Sequence, residues 1–225
     1  MSTYEALLNR IRAAFRKRFR ALDTQTACVL ALVFGLTDEK QAVAKKLADM
    51  IEANGCRLKT GFVGTPWLLH ALSENGYTDL AYRLLLQDAY PSWLYEVDHG
   101  ATTIWEHWDG AKEDGSFWST DMNSFDHYAY GSVADWMYAV AGGIRPDEKA
   151  PGFAHAIIAP QPSARLGSFE AEYRCAAGTI ASRWHTSGNT VTYEISTPVP
   201  ARIVIDGVAR EVSPGIYSFG GQLSH

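Results

Sequence analysis

The chain has 225 residues, of which 47% are hydrophobic and 20% charged, and its formal charge is −5. These values are typical of a globular protein that can bury a core, as one large domain or two smaller ones. They give no reason to expect a nucleic-acid partner. No apolar run reaches membrane-spanning length, and the first residues lack the apolar core of a signal peptide. We therefore expect no membrane partner and, unless the chain is a piece of a longer one, a cytoplasmic location.

One segment, residues 11–20 (IRAAFRKRFR), is strongly basic. Such a run can bind nucleic acid or a membrane surface. Its apolar residues, however, recur at steps of three and four: Ile11, Ala14, Phe15 and Phe19. We therefore favour an amphipathic helix whose basic face is solvated.

The three cysteines, Cys28, Cys56 and Cys175, are widely spaced and form no Cys-x-x-Cys pair. This spacing favours three reduced thiols over a disulfide framework or a zinc site. No His-Glu-x-x-His motif occurs either, so the sequence predicts neither a metal nor another cofactor.

The first part of the chain, residues 1–147, is predicted to be a helical domain. Apolar periodicity and capping residues indicate about seven helices that alternate between buried and amphipathic. Such a series is typical of stacked αα-hairpins, and an incomplete α/α toroid fits it. The predicted helices are Tyr4 to Arg20, Thr24 to Leu36, Asp38 to Ala53, Thr65 to Asn75, Thr78 to Leu86, a short helix opened by Tyr90-Pro91, and Tyr128 to Val140.

The second part, residues 148–225, is predicted to be a small antiparallel β-sandwich. A charged, proline-containing linker, residues 145–151, precedes it, and the apolar pattern then changes to period two. Asp206-Gly207 between two apolar runs is a hairpin signal. Trp184 and Tyr193 are expected in the core. The predicted strand segments are Ile157 to Ile158, Thr179 to His185, Thr190 to Ser196, Ile203 to Ile205 and Val208 to Val212.

The stretch from Gly100 to Tyr130 is rich in aromatic, acidic and glycine residues, and it is flanked by helices. A long loop of this kind is a common place for function. Indole rings stack on the C–H faces of sugars, while carboxylates and imidazoles bind hydroxyls or move protons. The residues predicted to form a sugar site with neighbouring Trp118 are Trp105, Glu106, Trp108, Asp109 and His127.

Three segments resemble the C-terminal part of bacterial α-L-rhamnosidases: residues 60–97 (TGFVGTPWLLHALSENGYTDLAYRLLLQDAYPSWLYEV), residues 100–110 (GATTIWEHWDG) and residues 122–138 (MNSFDHYAYGSVADWMY). Residues 151–184 resemble the C-terminal β-domain of the same family. The resemblance implies the second half of an (α/α)6 catalytic barrel followed by a β-sandwich.

The resemblance also implies an activity, hydrolysis of terminal α-L-rhamnose with inversion of configuration. In the family motifs the general base falls on Glu106, and a sugar-binding histidine falls on His127. The family's general acid lies upstream, and no residue of this chain matches it by motif. Trp105 and Trp108 either stack on the sugar or pack the barrel, and Asp109 could orient Glu106 or a water molecule.

Three functions compete on these grounds. The first is a rhamnosidase segment that acts on a rhamnose-containing glycoside once the barrel is complete. The second is an inactive, truncated sugar-binding or structural fragment. The third is a polysaccharide lyase, which the scarcity of positive charge in the loop disfavours. Half a toroid leaves apolar helix faces uncovered, so we expect a homodimer or association with a chain that carries the missing half.

Overall fold

The computed structural model describes residues 3–223, and this chain divides into two compact units after Val133. The first unit is helical, and the second contains the β-strands. Residues 1–2 and 224–225, the outer ends of the two predicted domains, lie outside the described residues. Within residues 3–223, no helix is both long and apolar enough to cross a membrane.

The helices follow the predicted series, with shorter bounds. The first six are α1 (Thr3–Arg18), α2 (Gln25–Val33), α3 (Lys40–Ala53), α4 (Thr65–Ser73), α5 (Thr78–Leu85) and α6 (Trp93–Asp98). The segment predicted as one final helix is instead a 3-10 turn, Ala129–Ser132, then α7, Val133–Trp136, then a π-helical turn, Met137–Ala141. The π turn closes through the Gly142 N–H, which donates to the Met137 carbonyl at 2.8 Å.

Hydroxyl caps explain where some of the helices begin. Thr24 accepts the Ala27 N–H at 3.1 Å and starts α2. Ser92 likewise accepts the Tyr95 N–H at 3.1 Å and starts α6. Each cap satisfies an N–H that the first helical turn leaves without a partner. Helix α4 begins at Thr65, as predicted, and Gly64 occupies its cap position without a side-chain bond.

Burial separates the helices into two kinds. The predicted buried helix α2 is confirmed, with Cys28, Val29, Ala31 and Leu32 all inside. Helix α1 is the opposite extreme, because none of its described side chains is buried. The centre of the helical unit is made by large, fully buried side chains on α3, α4 and α5: Leu47, Ile51, Leu68, Leu72, Tyr82 and Leu84.

The second unit holds two four-stranded sheets, in the orders β1-β2-β6-β7 and β3-β4-β5-β8. Every strand pair is antiparallel except β2–β6, which is parallel and departs from the predicted all-antiparallel pairing. Strands β1, β3 and β8 were not predicted. The strands are β1 (Ile144–Pro146), β2 (Ala156–Ile158), β3 (Ser168–Cys175), β4 (Gly178–Ser187), β5 (Thr190–Thr197), β6 (Ala201–Ile205), β7 (Val208–Val212) and β8 (Gly215–Gln222).

Two places in this unit need residues with a positive backbone φ angle. Asp206 and Gly207 both have positive φ, 49° and 75°, as the two-residue β6–β7 hairpin requires. Gly143 has φ of 72°, and a Cβ there would lie 2.1 Å from the Pro160 nitrogen, so no other residue fits. Trp184 and Tyr193 are buried, which confirms their predicted place in the core.

Candidate active site

The loop from Gly100 to Tyr128 folds back so that two of its stretches lie side by side. The Glu106 N–H donates to the Ser124 carbonyl at 2.9 Å, and the His127 N–H donates to the Ile104 carbonyl at 2.8 Å. The Thr103 hydroxyl adds a bond to the Phe125 carbonyl. The structure therefore places Glu106 and His127 on adjoining backbone segments, residues 104–106 and 124–127, although twenty residues separate the two side chains in sequence.

A small antiparallel turn forms the outer part of the same loop. Ala111 bridges to Phe117, and the Lys112 N–H donates to the Ser116 carbonyl at 2.8 Å. The Asn123 side-chain amide donates to the Gly110 carbonyl at 2.9 Å, which joins this turn to the returning strand of the loop. Backbone and amide bonds thus order a segment that has no regular secondary structure of its own.

Both predicted tryptophans are buried against protein. Trp105 is 4% exposed and meets the Phe125 ring edge-on. Trp108 is 7% exposed, and its ring stacks on Tyr130 with the centroids 3.9 Å apart. Packing accounts for these positions, and the prediction that the two rings contact a sugar stays a prediction. Trp118, by contrast, is exposed and stacks on the His107 ring, with centroids 3.6 Å apart.

His127 is half-buried and held by its neighbours. Its ring stacks on Phe62 at 4.7 Å and on Tyr128 at 5.3 Å. Its Nδ1 accepts the Ala129 N–H at 3.3 Å. Since a neutral imidazole carries one proton, this bond assigns that proton to Nε2, which becomes the hydrogen-bond donor. An Nε2–H donor is suited to an acceptor such as a sugar hydroxyl oxygen.

Asp109, partly exposed, lines an open cavity of about 400 Å³. Burial raises the pKa of Tyr90 in that cavity, and the negative charge of Asp109 adds to the rise. A phenol that stays protonated beside a carboxylate can donate a hydrogen bond to a ligand. The side chains that line the cavity are Tyr90, Tyr95, Asp109, Lys112, Glu113 and Asp114.

The Tyr130 hydroxyl marks where several of these groups converge. Burial raises the pKa of Tyr130, and Glu96, Tyr90 and Glu106 raise it further. The Tyr130 carbonyl in turn accepts the Trp93 indole N–H at 2.9 Å. Two carboxyl groups, Glu96 and Glu106, therefore act on one buried phenol.

Glu96 is the residue that sequence reasoning missed. It is 2% exposed, its Oε2 accepts the Trp105 N–H at 3.2 Å, and its Oε1 has no hydrogen-bond partner. Burial raises the pKa of Glu96 to about 7, and the Trp105 bond only partly opposes the rise. The available signal was its spacing, because Glu96 follows Trp93 by three residues and so shares a helix face with a buried indole.

No metal centre emerges from the geometry. Across residues 3–223, no group of three or more His, Cys, Asp or Glu side chains is arranged to hold a metal ion. Three acidic residues of the loop, Asp109, Glu113 and Asp114, instead share the open cavity with Tyr90 and Tyr95.

Comparison with known families gives two matches that together span most of the chain. The bacterial alpha-L-rhamnosidase 6 hairpin glycosidase domain matches residues 1–141. The bacterial alpha-L-rhamnosidase C-terminal domain matches residues 143–212. The predicted domain boundary after residue 147 stays a prediction.

Individual relatives agree with the two family matches. An α-L-rhamnosidase of Streptomyces avermitilis is 42% identical over 87% of this chain, which corresponds to 20% of the relative. The crystal structure of the Streptomyces avermitilis enzyme complexed with L-rhamnose has a TM-score of 0.89 at 37% identity, covering 97% of this chain and 24% of that one. An Aspergillus terreus α-L-rhamnosidase structure also has a TM-score of 0.89, at 31% identity, covering 97% and 27%.

These likenesses confirm the predicted fold class, a partial (α/α)6 toroid of about seven helices followed by a β-sandwich. The chain spans about a fifth to a quarter of the length of the relatives it matches.

Proposed function

Because this chain belongs to the bacterial α-L-rhamnosidase family, we propose that it supplies the base-bearing half of an inverting glycosidase site. The proposed substrate is a glycoside with a terminal α-L-rhamnose, and the Streptomyces avermitilis relative binds L-rhamnose. The observation that carries the proposal is the backbone pairing of residues 104–106 with 124–127, which sets Glu106 and His127 on one ordered platform.

Glu106 is assigned the role of general base. It is only partly buried, so water can reach its carboxylate, while its backbone is fixed by the Ser124 carbonyl. The carboxylate takes a proton from a water molecule as the water oxygen attacks the anomeric carbon from the face opposite the leaving oxygen. Inverting enzymes separate base and acid by about 6.5–9.5 Å to admit that water. The acid then protonates the leaving oxygen, and we assign it to a part of the barrel outside this chain.

His127 is assigned to sugar binding. Its Nδ1 is occupied by the Ala129 N–H, so its Nε2–H is the group available to a sugar hydroxyl. The stacked Phe62 and Tyr128 rings restrict the imidazole to one orientation. Asp109 and Tyr90 are assigned to the same ligand, since both line the neighbouring cavity.

Association is the second part of the proposal. Several large apolar side chains of the helical unit are exposed, and Phe34 meets Trp67 edge-on with ring centroids 6.1 Å apart. Exposed apolar rings that pack on one another are usually covered by a partner. We propose either a homodimer or a complex with a chain that carries the rest of the barrel. Phe62 and Val63 are also exposed in the helical unit.

A second candidate, a sugar-binding fragment without catalysis, is favoured by one observation. Trp105 and Trp108 are buried by their own neighbours, as in a structural core that needs no acid opposite Glu106. The two candidates differ in turnover, because only the first hydrolyses a rhamnoside when the barrel is complete.

The stereochemical outcome tests the catalytic proposal. Residues 1–225 are placed in a chain with a complete barrel, and proton NMR follows the sugar released from an aryl α-L-rhamnoside. The proposal predicts that β-L-rhamnose forms first and then mutarotates. Release of the α anomer would contradict an inverting base at Glu106. Light scattering on residues 1–225, alone and mixed with a chain that carries the rest of the barrel, tests association, and a stable monomer in both samples would contradict it.

A further inference from the structure

Helix α6 carries a residue, Glu96, that holds the start of the loop at two points, once through its backbone and once through its side chain. The Glu96 backbone carbonyl accepts the Ala101 N–H at 2.9 Å. Its side-chain Oε2 reaches further along the loop and accepts the Trp105 N–H at 3.2 Å. One residue of the helix therefore positions the chain both where it leaves α6 and where it approaches Glu106.

The Trp105 N–H has a structural need for this bond. Trp105 is almost fully buried, and a buried N–H without an acceptor is strongly disfavoured. On either side of Trp105, the Ile104 carbonyl and the Glu106 N–H are bound to the returning stretch of the loop at His127 and Ser124. With the Glu96 bond, each of the three consecutive residues Ile104, Trp105 and Glu106 has one backbone hydrogen bond that holds it in place.

The second oxygen of Glu96 indicates its charge state. Oε1 is buried and without a hydrogen-bond partner, which is an unfavourable place for half of a carboxylate charge. The phenol of Tyr130 lies on the 3-10 turn, and burial raises its pKa. The Glu96 carboxyl raises that pKa further, as do Tyr90 and Glu106. Burial without a partner for Oε1 therefore favours the neutral form of Glu96.

We propose that Glu96 is a positioning residue that works in its protonated form: it holds the Trp105 peptide, and through it the backbone of Glu106. Oε2 accepts the Trp105 N–H, and Oε1 carries the proton. The role rests on the proposed function of Glu106, but the protonation of Glu96 does not. Glu96 touches no substrate, because its side chain lies inside the protein.

The charge state has a consequence for stability that residues 1–225 can show by themselves. Burial raises the pKa of Glu96 to about 7, so the folded chain binds this proton more tightly than the unfolded chain does. The extra stability is fully present below the unfolded pKa of about 4.3 and is lost as the pH rises through about 7. The unfolding equilibrium constant should therefore increase on the order of 10²-fold from this group across that window.

The experiment compares Glu96→Gln, Glu96→Leu and the exposed control Glu74→Gln. Glutamine keeps the acceptor for Trp105 and has no charge, so Glu96→Gln should abolish the loss of stability between pH 5 and 8, measured by urea unfolding. Carbon-13 NMR of the glutamate carboxyls should show one titration near pH 7 that is absent only from the Glu96 variants. A group that titrates below pH 5 in its place would overturn the protonated state.

Kinetics in a chain with a complete barrel tests the positioning role. Glu96→Gln should keep kcat within about threefold and should retain activity above pH 7, where the wild type declines. Glu96→Leu should lower kcat tenfold or more with little change in KM. A wild-type pH profile in Glu96→Gln would overturn the role, even if Glu96→Leu does not fold. If Glu106→Gln proves active while the NMR titration is seen, the assignment of the base fails and the protonation of Glu96 stands.

Discussion

One carboxyl group of the helical unit, that of Glu96, lies in an environment unlike that of the surface carboxylates on the β-unit. On the sheet formed by β3, β4 and β5, Arg183 pairs with Glu170 at 2.5 Å and with Glu172 at 2.8 Å, and all three side chains are substantially exposed. In the helical unit, Glu96 is buried with one oxygen unpartnered. Exposed pairs contribute little to stability because water screens them, whereas a buried carboxyl changes its protonation instead.

The difference indicates that the buried carboxyl of Glu96 serves the chemistry of the site and not the stability of the fold. An unsatisfied buried carboxyl is unfavourable for folding, and such groups concentrate at functional sites. The Glu96 carboxyl accepts a hydrogen bond from Trp105, which directly precedes the proposed base, Glu106, in the sequence. Within the described residues, the strands of the two sheets contain no buried carboxyl group. Substitutions in the loop should therefore change activity, and matched substitutions in the sheets should not.

The largest expected effect is at Glu106. In a chain with a complete barrel, Glu106→Gln should lower kcat by about 10²–10⁴-fold, or roughly 3–5 kcal/mol, because general-base catalysis is lost. KM should change little, since the amide keeps the shape of the side chain. The control is Glu172→Gln on β3, which should leave kcat unaltered. Near-wild-type kcat in Glu106→Gln would remove this residue from the role.

A smaller effect is expected at His127. His127→Ala should weaken the binding of L-rhamnose by about 1–3 kcal/mol, because a ligand hydroxyl loses its donor. Isothermal titration calorimetry measures this on the same complete-barrel chain. The matched change His185→Ala, on an exposed position of β4, should leave the affinity as it was. Equal affinity in both variants would return His127 to a purely structural role.

The smallest effect is expected at Arg183. Although Arg183 contacts two carboxylates, the pairs are exposed to water, and Arg183→Ala should hardly move the urea midpoint of unfolding. The change should also leave kcat as in the wild type. A large fall in the midpoint would mean that the surface network of the sheet matters as much as the buried core, and the contrast between the two units would fail.

Local patterns account for what the sequence could predict. The apolar run of α2 and the period-two runs of β5 and β6 each bury a full face, so their side chains reveal the structure directly. The Asp206-Gly207 hairpin follows from the positive φ that its turn requires. The overall fold was accessible because these elements depend on nearby residues.

Features that depend on distant partners escaped prediction. Strand β3 is mostly exposed, so its pairing with β4 leaves no alternation to read. The last helix is divided into 3-10, α and π turns that apolar periodicity does not distinguish. The place of Glu96 in the site depends on the hydrogen bond that its side chain accepts from the Trp105 N–H, which helix periodicity does not indicate. For Trp105 and Trp108, both uses stay open from the sequence, because indole rings serve sugar sites as well as cores and their spacing does not separate the two.

The central claim is that Glu106 serves as the base of a site whose acid comes from outside these residues. The most direct measurement is the turnover of an aryl α-L-rhamnoside by purified residues 1–225, alone and with an added N-terminal barrel half, with Glu106→Gln as the matched control. The account predicts no turnover alone, turnover on addition, and loss of that turnover in Glu106→Gln. Full activity of residues 1–225 alone would contradict it, and would place an acid such as Asp109 or Asp121 within this chain.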